Sequence, residues 1–413
     1  MDRLNILYLC HRFPYKPKRG GKIRPFNMIR HLHEAGHAVT VCSLARSEAE
    51  AEEGRGIAPH CSHFEMGLVS EPVQLARMVA RLPVLTPSSM GYFHSSDLAL
   101  KVRALLAAHR YDLIFVHCSS VAQYVEHVQG VPKILDFGDM DSQKWLEYAN
   151  YKPWPLSWGY RLEGTKMLWA EKRLARRFDL CTATTRAEWQ TLEDYGTGAA
   201  TGWFPNGVDA TLFSPGDGRY DPDALSFIGR MDYYPNQECM TRFCRDVWPL
   251  LKVRRPSLKL KIVGADPTPQ IRALGRLDGV TVTGSVPEVQ PYVRESALMV
   301  APLAIARGTQ NKILEAMAMG VPVVTSTAAA GGVDAEPGRH LLVADAATDI
   351  AEAVLRIVEN PAERTRLSLA GRERVLSHHA WPHSMQRLDA LIERCRLDFM
   401  ARQGARIPSR TPA

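Results

Sequence analysis

Lys312 and Glu315 stand three residues apart, directly after the run Arg307-Gly308-Thr309. On a helix that spacing puts an ammonium and a carboxylate on one face. The surrounding stretch, LAIARGTQNKILEAMAMGVPVV (Leu303–Val324), reads as strand, glycine turn, helix, glycine stop and strand. Gly308 lets the turn approach a ligand closely, and Thr309 is the expected N-cap. The first amides of such a helix converge with positive dipole character, which suits a phosphate. A cation for a diphosphate beside a carboxylate for ribose hydroxyls makes a grip for a nucleoside diphosphate. Taken alone, the same pair would also serve as an exposed ion pair on a surface helix.

Other candidates lie in the first half of the chain. His117 ends the run DLIFVH, at the carboxyl edge where α/β proteins bind ligands; a capping or core-edge histidine is the other reading. Asp139 and Asp141 (DMD) follow the next apolar run, where acceptor contact or helix capping is favoured over metal binding. From Arg12 to Arg30 there are seven Lys/Arg and no Asp or Glu. Arg12, Lys16, Lys18, Arg19, Lys22 and Arg24 could hold an acceptor pyrophosphate, lie on anionic headgroups, or form a solvated basic face. Val73–Leu85 has apolar residues at helical spacing with Arg77 and Arg81 on one side, which suits an interfacial helix or an ordinary packed one.

The elements that must position these residues alternate. Apolar runs at Asn5–Cys10, Ala38–Leu44, Asp112–His117, Lys133–Phe137 and Leu180–Thr184 form one series of expected strands. A second comprises Ala224–Gly229, Leu258–Gly264, Val280–Gly284, Leu298–Pro302, Pro322–Thr325 and Leu341–Val343. Helix-period stretches separate them, including Phe26–Glu34, Ser119–Val128, Pro235–Val253 and Asn311–Met319. Continuous apolar strands between helices imply parallel sheets covered on both faces, hence an α/β, doubly wound architecture, twice over. The Gly-, Pro- and Thr-rich Gly196–Gly218 reads as a linker. The domains expected are residues 1–205 and 206–377, then a C-terminal helix over 378–402 that returns to the first domain and a disordered tail over 403–413.

Composition narrows the function classes. At 413 residues, 46% hydrophobic and 23% charged, the chain is an ordinary globular one. The longest uncharged stretch, Ala316–Val333, is broken by Gly320 and Pro322, so no membrane-spanning helix is expected. The opening apolar run is too short for a signal peptide. Eight cysteines without a C-x-x-C pair argue against a disulfide framework or a zinc site and for the reducing cytoplasm. The net charge of +7 has no nucleic-acid motif beside it.

PNGVDATLFSP (Pro205–Pro215), FIGRM (Phe227–Met231), LKIVGADP (Leu260–Pro267) and LEAMAMGVPVV (Leu314–Val324) occur in that order. They resemble the C-terminal half of the retaining glycosyltransferases of family 4. The N-terminal NILYLCHRFPYKPKRGGKIRPFNMIRHLHEAGHAVTV resembles the opening strand, glycine loop and first helix of the same family. MDYYPN, DMDSQKW and ARGTQNKILEAMAMG are more narrowly similar to the sugar transferases of exosortase (PEP-CTERM) exopolysaccharide systems. The resemblance implies a GT-B fold, two Rossmann-like domains facing across a cleft. It also implies a metal-independent hexosyltransferase carrying a sugar from a UDP- or GDP-linked donor to a lipid-linked or oligosaccharide acceptor. No further cofactor is implied, and peripheral contact with the inner face of the cytoplasmic membrane is a further expectation.

Carried across residue by residue, the resemblance gives Lys312 the donor diphosphate, Glu315 the ribose diol and Arg230, after Gly229, the second phosphate charge. Gly264 and Asp266 would lie near the nucleoside, Val286 in the base pocket, and Gly308, Thr309 and Asn311 against the sugar. Gly20 and Gly21 would offer backbone amides, His117 would contact sugar and acceptor, and Lys22, Arg24, Asp139 and Asp141 would bind the acceptor. The Asp-x-Asp resembles the metal motif of the other glycosyltransferase fold, yet it follows an N-terminal strand here. Two departures stand out. Arg307 occupies the place of the family's first glutamate, eight positions before Glu315, and Pro235-Asn236 replaces a Lys-Gly pair. A GT-B-shaped nucleotide-sugar epimerase and an inactive glycan- or membrane-binding scaffold are the competing classes.

Overall fold

The computed structural model describes residues 3–17 and 20–404, and the counts below refer to those residues. Lys18, Arg19 and the tail from residue 405 lie outside them. The first series of apolar runs forms β1 (Asn5–Cys10), β2 (Ala38–Ala45), β3 (His63–Leu68), β4 (Leu113–His117), β5 (Lys133–Gly138), β6 (Leu180–Ala183) and β7 (Ala200–Trp203). They make one parallel sheet in the order β3-β2-β1-β4-β5-β6-β7. The second forms β8 (Asp221–Ile228), β9 (Lys259–Val263), β10 (Val280–Gly284), β11 (Ser296–Ala301), β12 (Val323–Thr325) and β13 (Leu342–Val343). Its order is β10-β9-β8-β11-β12-β13, again all parallel.

Helices cover both faces, which is why the central strands β4, β5 and β11 are buried at every position. In each sheet the strand order reverses once, between β1 and β4 and between β8 and β11. Chain leaving the carboxyl ends of such neighbours diverges to opposite faces and opens a crevice for ligand. His117 lies beside Cys10 at the first switch point. Gly229 and the segment leading to Lys312 follow β8 and β11 at the second.

The chain divides into two compact units: one runs to Phe204 and resumes at Met385, and the other is Pro205–Ser384. The last helix is Trp381–Gly404, starting three residues later than the sequence suggests because His378 ends the preceding helix, Pro361–His378. Asp389 on it meets His31 at 2.9 Å, Arg402 meets Asp179 at 2.8 Å, and Leu391 packs over Gly202.

Several expectations need correction. The stretch read as a linker contains β7, a four-residue edge strand that buries only Gly202. Strand β3 is absent from the sequence reading because His63 and Glu65 interrupt its apolar character at the opposite edge. Ser119–Val128 is not a full helix: only Ser119–Tyr124 forms a 3-10 turn. The helical stretch from Pro235 holds one wide turn, Phe243–Val247, between the helices Tyr234–Arg242 and Trp248–Arg254.

Candidate active site

In the second unit, glycines end three strands. A Cβ on Gly264, after β9, would fall 1.7 Å from the carbonyl oxygen of Gly229, after β8, so these two loops meet backbone to backbone and only glycine fits. Gly229 N donates to Val263 O at 3.1 Å and Met231 N to Ala265 O at 2.8 Å. Gly284 closes β10 with φ +72°, and Val286 beyond it is half-buried against the core.

Arg230 projects from this paired loop. Its Nε and Nη2 donate to Asp232 at 2.9 and 2.5 Å, and Nη2 also reaches Asp266 at 2.8 Å. Asp266, placed near the nucleoside by resemblance, thus also orients the arginine, from a backbone held at φ +57°.

The helix Asn311–Ala318 buries Ile313, Leu314 and Ala316 through Ala318, leaving Lys312 and Glu315 half-buried on the other face. Lys312 Nζ donates to Asn236 Oδ1 at 2.5 Å and lies 4.4 Å from the centre of the Phe227 ring. Burial pushes Lys312 down to about 8, opposed by Cys239 and Glu315. Burial likewise pushes Glu315 up to about 7, opposed by Lys312. No described residue hydrogen-bonds the Glu315 carboxylate. A half-buried cation beside a half-buried carboxylate that accepts no protein hydrogen bond is poised for groups that a ligand brings.

The turn before this helix corrects one expectation. Thr309 is not the N-cap: Gln310 holds that position without a capping bond, and the buried Thr309 Oγ1 has no hydrogen-bond partner. An orphaned buried hydroxyl here fits a polar ligand group. Gly308 (φ +63°) is approached so closely that a Cβ on Gly332 would lie 2.1 Å from its oxygen. Asn311 Oδ1 is 3.5 Å from Asn206 Nδ2. Arg307 is exposed, and its carbonyl accepts from Gln310 at 3.0 Å.

In the first unit His117 is 6% exposed, with Nδ1 2.7 Å from Asp136 Oδ2. Asp136 on β5 is fully buried and also accepts from Arg24 Nε at 2.9 Å, Arg24 Nη2 at 3.0 Å and Thr182 at 2.9 Å. The Arg24 guanidinium, with help from His117, holds this carboxyl far below the usual range against the opposing effect of burial. A carboxylate can only accept, so Nδ1 carries a proton and donates to it, which fixes the orientation of the ring. His11 lies 5.9 Å away ring to ring; burial first, then His117, pushes it well below the ordinary imidazole range.

Two of the cations expected at the acceptor site are buried on partners of their own unit. Arg24 is 3% exposed, bound to Asp136 and to Phe204 O at 3.0 Å, with its guanidinium 3.7 Å above the Phe204 ring. Lys22, 7% exposed, pairs with Glu50 at 2.8 Å and donates to Tyr15 O at 3.2 Å. Both cations are spent inside the unit. Asp139 is half-buried, and Asp141 opens the helix Asp141–Ala149, its carboxyl pushed up by burial. Gly20 and Gly21 open the helix Gly20–Glu34. No three His, Cys, Asp or Glu among the described residues converge on a metal-sized site.

The structure therefore gathers Gly229, Arg230, Gly264, Asp266 and Lys312 around Asn236 in one unit. In the other it joins His117 to Arg24 through Asp136. Sequence reasoning missed both joining residues. The signal for Asp136 was a carboxylate inside the apolar run KILDFG.

Residues 19–212 match the family described as Glycosyltransferase Family 4, and residues 222–360 the one described as Glycosyl transferases group 1. The chain is 25% identical over 345 residues to an MMP alpha-(1->4)-mannosyltransferase of Mycolicibacterium hassiacum, covering 79% of this chain and 81% of that one. It is 23% identical over 210 residues to a GDP-mannose-dependent monoacylated alpha-(1-6)-phosphatidylinositol monomannoside mannosyltransferase of Corynebacterium glutamicum. That match takes in 46% of this chain and only 55% of the relative's length. Among solved structures, Anabaena Alr3699/HepE in complex with UDP aligns with a TM-score of 0.69 at 16% identity, over 94% of this chain and 100% of the other. With both halves matched in order and both sheets of the Rossmann type, the chain is a glycosyltransferase of the GT-B fold, a family 4 domain followed by a group 1 domain.

Proposed function

We propose that this glycosyltransferase moves a hexose, with retention and without a metal ion, from a UDP- or GDP-linked donor to a hydroxyl of a lipid-linked glycan in exopolysaccharide synthesis. The observation that carries the donor half is the half-buried Lys312–Glu315 pair on one helix face at a sheet switch point, with Lys312 held by Asn236. Lys312, Arg230 and the first amides of the Asn311–Ala318 helix would take the diphosphate, and Glu315 the ribose diol. Asp266 would hold Arg230 toward the phosphates, Val286 would line the base pocket, and Thr309 and Asn311 would meet the sugar.

The chemistry asked of these groups is positioning and charge stabilisation. The glycosidic bond to the diphosphate breaks, charge grows on the leaving phosphate, and fixed cations meet it there. The departing diphosphate takes the proton of the incoming hydroxyl on the same face, which gives retention; this step rests on the family 4 resemblance. His117 Nε2, Asp139, Asp141 and the amides of Gly20 and Gly21 would serve sugar and acceptor.

The mannosyltransferase relative named for a phosphatidylinositol acceptor supports a lipid-linked acceptor. So does the surface of the first unit. The helix Glu71–Ala80 and the turn after it expose Val73, Leu75, Val79, Leu82, Val84 and Leu85, the last by 75%. Trp154, Leu156, Trp158 and Trp169 are exposed on and before the helix Leu156–Ala175, whose two acids, Glu163 and Glu171, are both buried. Apolar and Trp-bearing faces beside arginines suit the headgroup region of a bilayer. No described helix is long and apolar enough to cross one.

The purified protein offered a panel of UDP-, GDP- and ADP-sugars should release nucleoside diphosphate from one of them, at a rate that EDTA leaves unchanged. Loss of release in EDTA overturns metal independence, and a panel silent in both release and thermal shift overturns the transferase. In flotation, vesicles containing phosphatidylglycerol should carry the protein up. The Val79→Glu/Leu82→Glu/Leu85→Glu variant should stay below, and equal flotation of the two proteins would remove the membrane from the proposal.

A further inference from the structure

Asn236 stands where the resembling family often places a Lys-Gly pair, and the structure gives it different work. It is 5% exposed near the start of the helix Tyr234–Arg242. Its Nδ2 donates to Arg230 O at 2.7 Å, and its Oδ1 accepts from Lys312 Nζ at 2.5 Å. These two neighbours have opposite requirements, so the amide has one orientation. Reversed, it would set N–H against an ammonium and oxygen against a carbonyl. One side chain thereby ties the loop after β8 to the helix after β11, across the switch point.

Lys312 is held from three sides. Asn236 accepts a hydrogen bond from it, Phe227 lies 4.4 Å from the ammonium, and Gly229 leaves room that a Cβ would close to 3.2 Å. The charges around it are Glu315 on its own helix and, on the facing loop, Arg230 already paired with Asp232 and Asp266. Cys239, the other titratable neighbour, sits on the helix that bears Asn236. An amide contributes direction without charge. A carboxylate in its place would neutralise the ammonium, and a lysine would repel it.

We propose that Asn236 is the positioning residue of the diphosphate site, a neutral hydrogen-bond link that aims Lys312 at the phosphates and leaves its charge unspent. This rests on the reading of Lys312 as a phosphate ligand, and the test separates the two. UDP and GDP affinities are measured by calorimetry from pH 6 to 9.5 for the wild type, Asn236→Ala, Lys312→Met and the double variant.

Wild-type affinity should fall as Lys312 loses its proton, and Asn236→Ala should weaken binding about tenfold at pH 7. On the Lys312→Met background, adding Asn236→Ala should change nothing. Asn236→Asp should shift the alkaline fall upward by about one pH unit or more, because the carboxylate favours the ammonium. Equal losses from Asn236→Ala on both backgrounds overturn the positioning role, as does an alkaline limb that Asn236→Asp leaves in place. Should Asn236→Asp fail to fold, the alanine cycle decides alone. A wild type that binds neither nucleotide, or binding untouched by Lys312→Met, removes the phosphate reading itself.

Discussion

Lys312→Ala should lower donor turnover by about 100- to 1000-fold, the loss typical of removing one group that stabilises charge on a leaving oxygen. Its melting temperature should move by no more than about 3 °C. The asymmetry follows from where the side chain sits. Lys312 gives its ammonium one neutral hydrogen bond and an aromatic face, and burial has already pushed it down to about 8. The empty site therefore gains little from the charge; the diphosphate gains most.

The pH dependence has a definite sign. Lys312 is charged below about 8, and Glu315 is charged above about 7. The cation for phosphate and the carboxylate for ribose coexist only in a narrow window. kcat/KM, which reports the free enzyme, should fall on both sides of it, and Lys312→Ala should lack the alkaline limb. Stability runs the other way. The folded state holds the Lys312 proton less tightly than the unfolded chain, so wild-type stability relative to Lys312→Ala should rise as pH climbs from about 8 toward about 10.4. A matched collapse of melting temperature and turnover would assign Lys312 to the fold rather than to the donor.

Legibility in the sequence followed how local each cause is. Central strands such as Leu113–His117 are buried on both faces and so read as unbroken apolar runs. Edge strands answer to one neighbour only, and His63–Leu68 and Ala200–Trp203 carry no such run. Lys312 and Glu315 were legible because spacing on one helix is a local fact. Asn236 was not, because a neutral amide shows no chemistry of its own and its two partners lie six and 76 residues away. The partner of Arg24 was hidden for the same reason. A basic run looks like a solvated face until the carboxylate that buries one of its members, 112 residues on, is brought beside it.

Asp136→Asn should cost about 3–5 kcal/mol of folding free energy in urea denaturation, the usual consequence of leaving one member of a buried ion pair without its partner. Asp136 is fully buried and Arg24 nearly so, and the guanidinium spends Nε and Nη2 on the carboxylate. Removing the charge takes from the guanidinium the buried carboxylate that accepts from two of its nitrogens. Replacing both partners, as Arg24→Met/Asp136→Leu, removes the desolvated charges together and should cost less than either single change; a loss equal to the sum of the two would mean that they do not act as a pair. The acid side supplies an independent check. Asp136 holds its charge in the folded state far below the ordinary carboxylate range, so the stability it contributes is complete above about pH 4 and is lost progressively below that. The wild type should therefore weaken between about pH 4 and 2 relative to the double variant, which has no such proton to take up. The double variant also leaves the Nδ1 proton of His117 without its acceptor. It should fold and bind nucleotide yet transfer sugar poorly if His117 acts on sugar or acceptor through Nε2, whereas wild-type transfer rates would reduce the Asp136 cluster to a structural buttress.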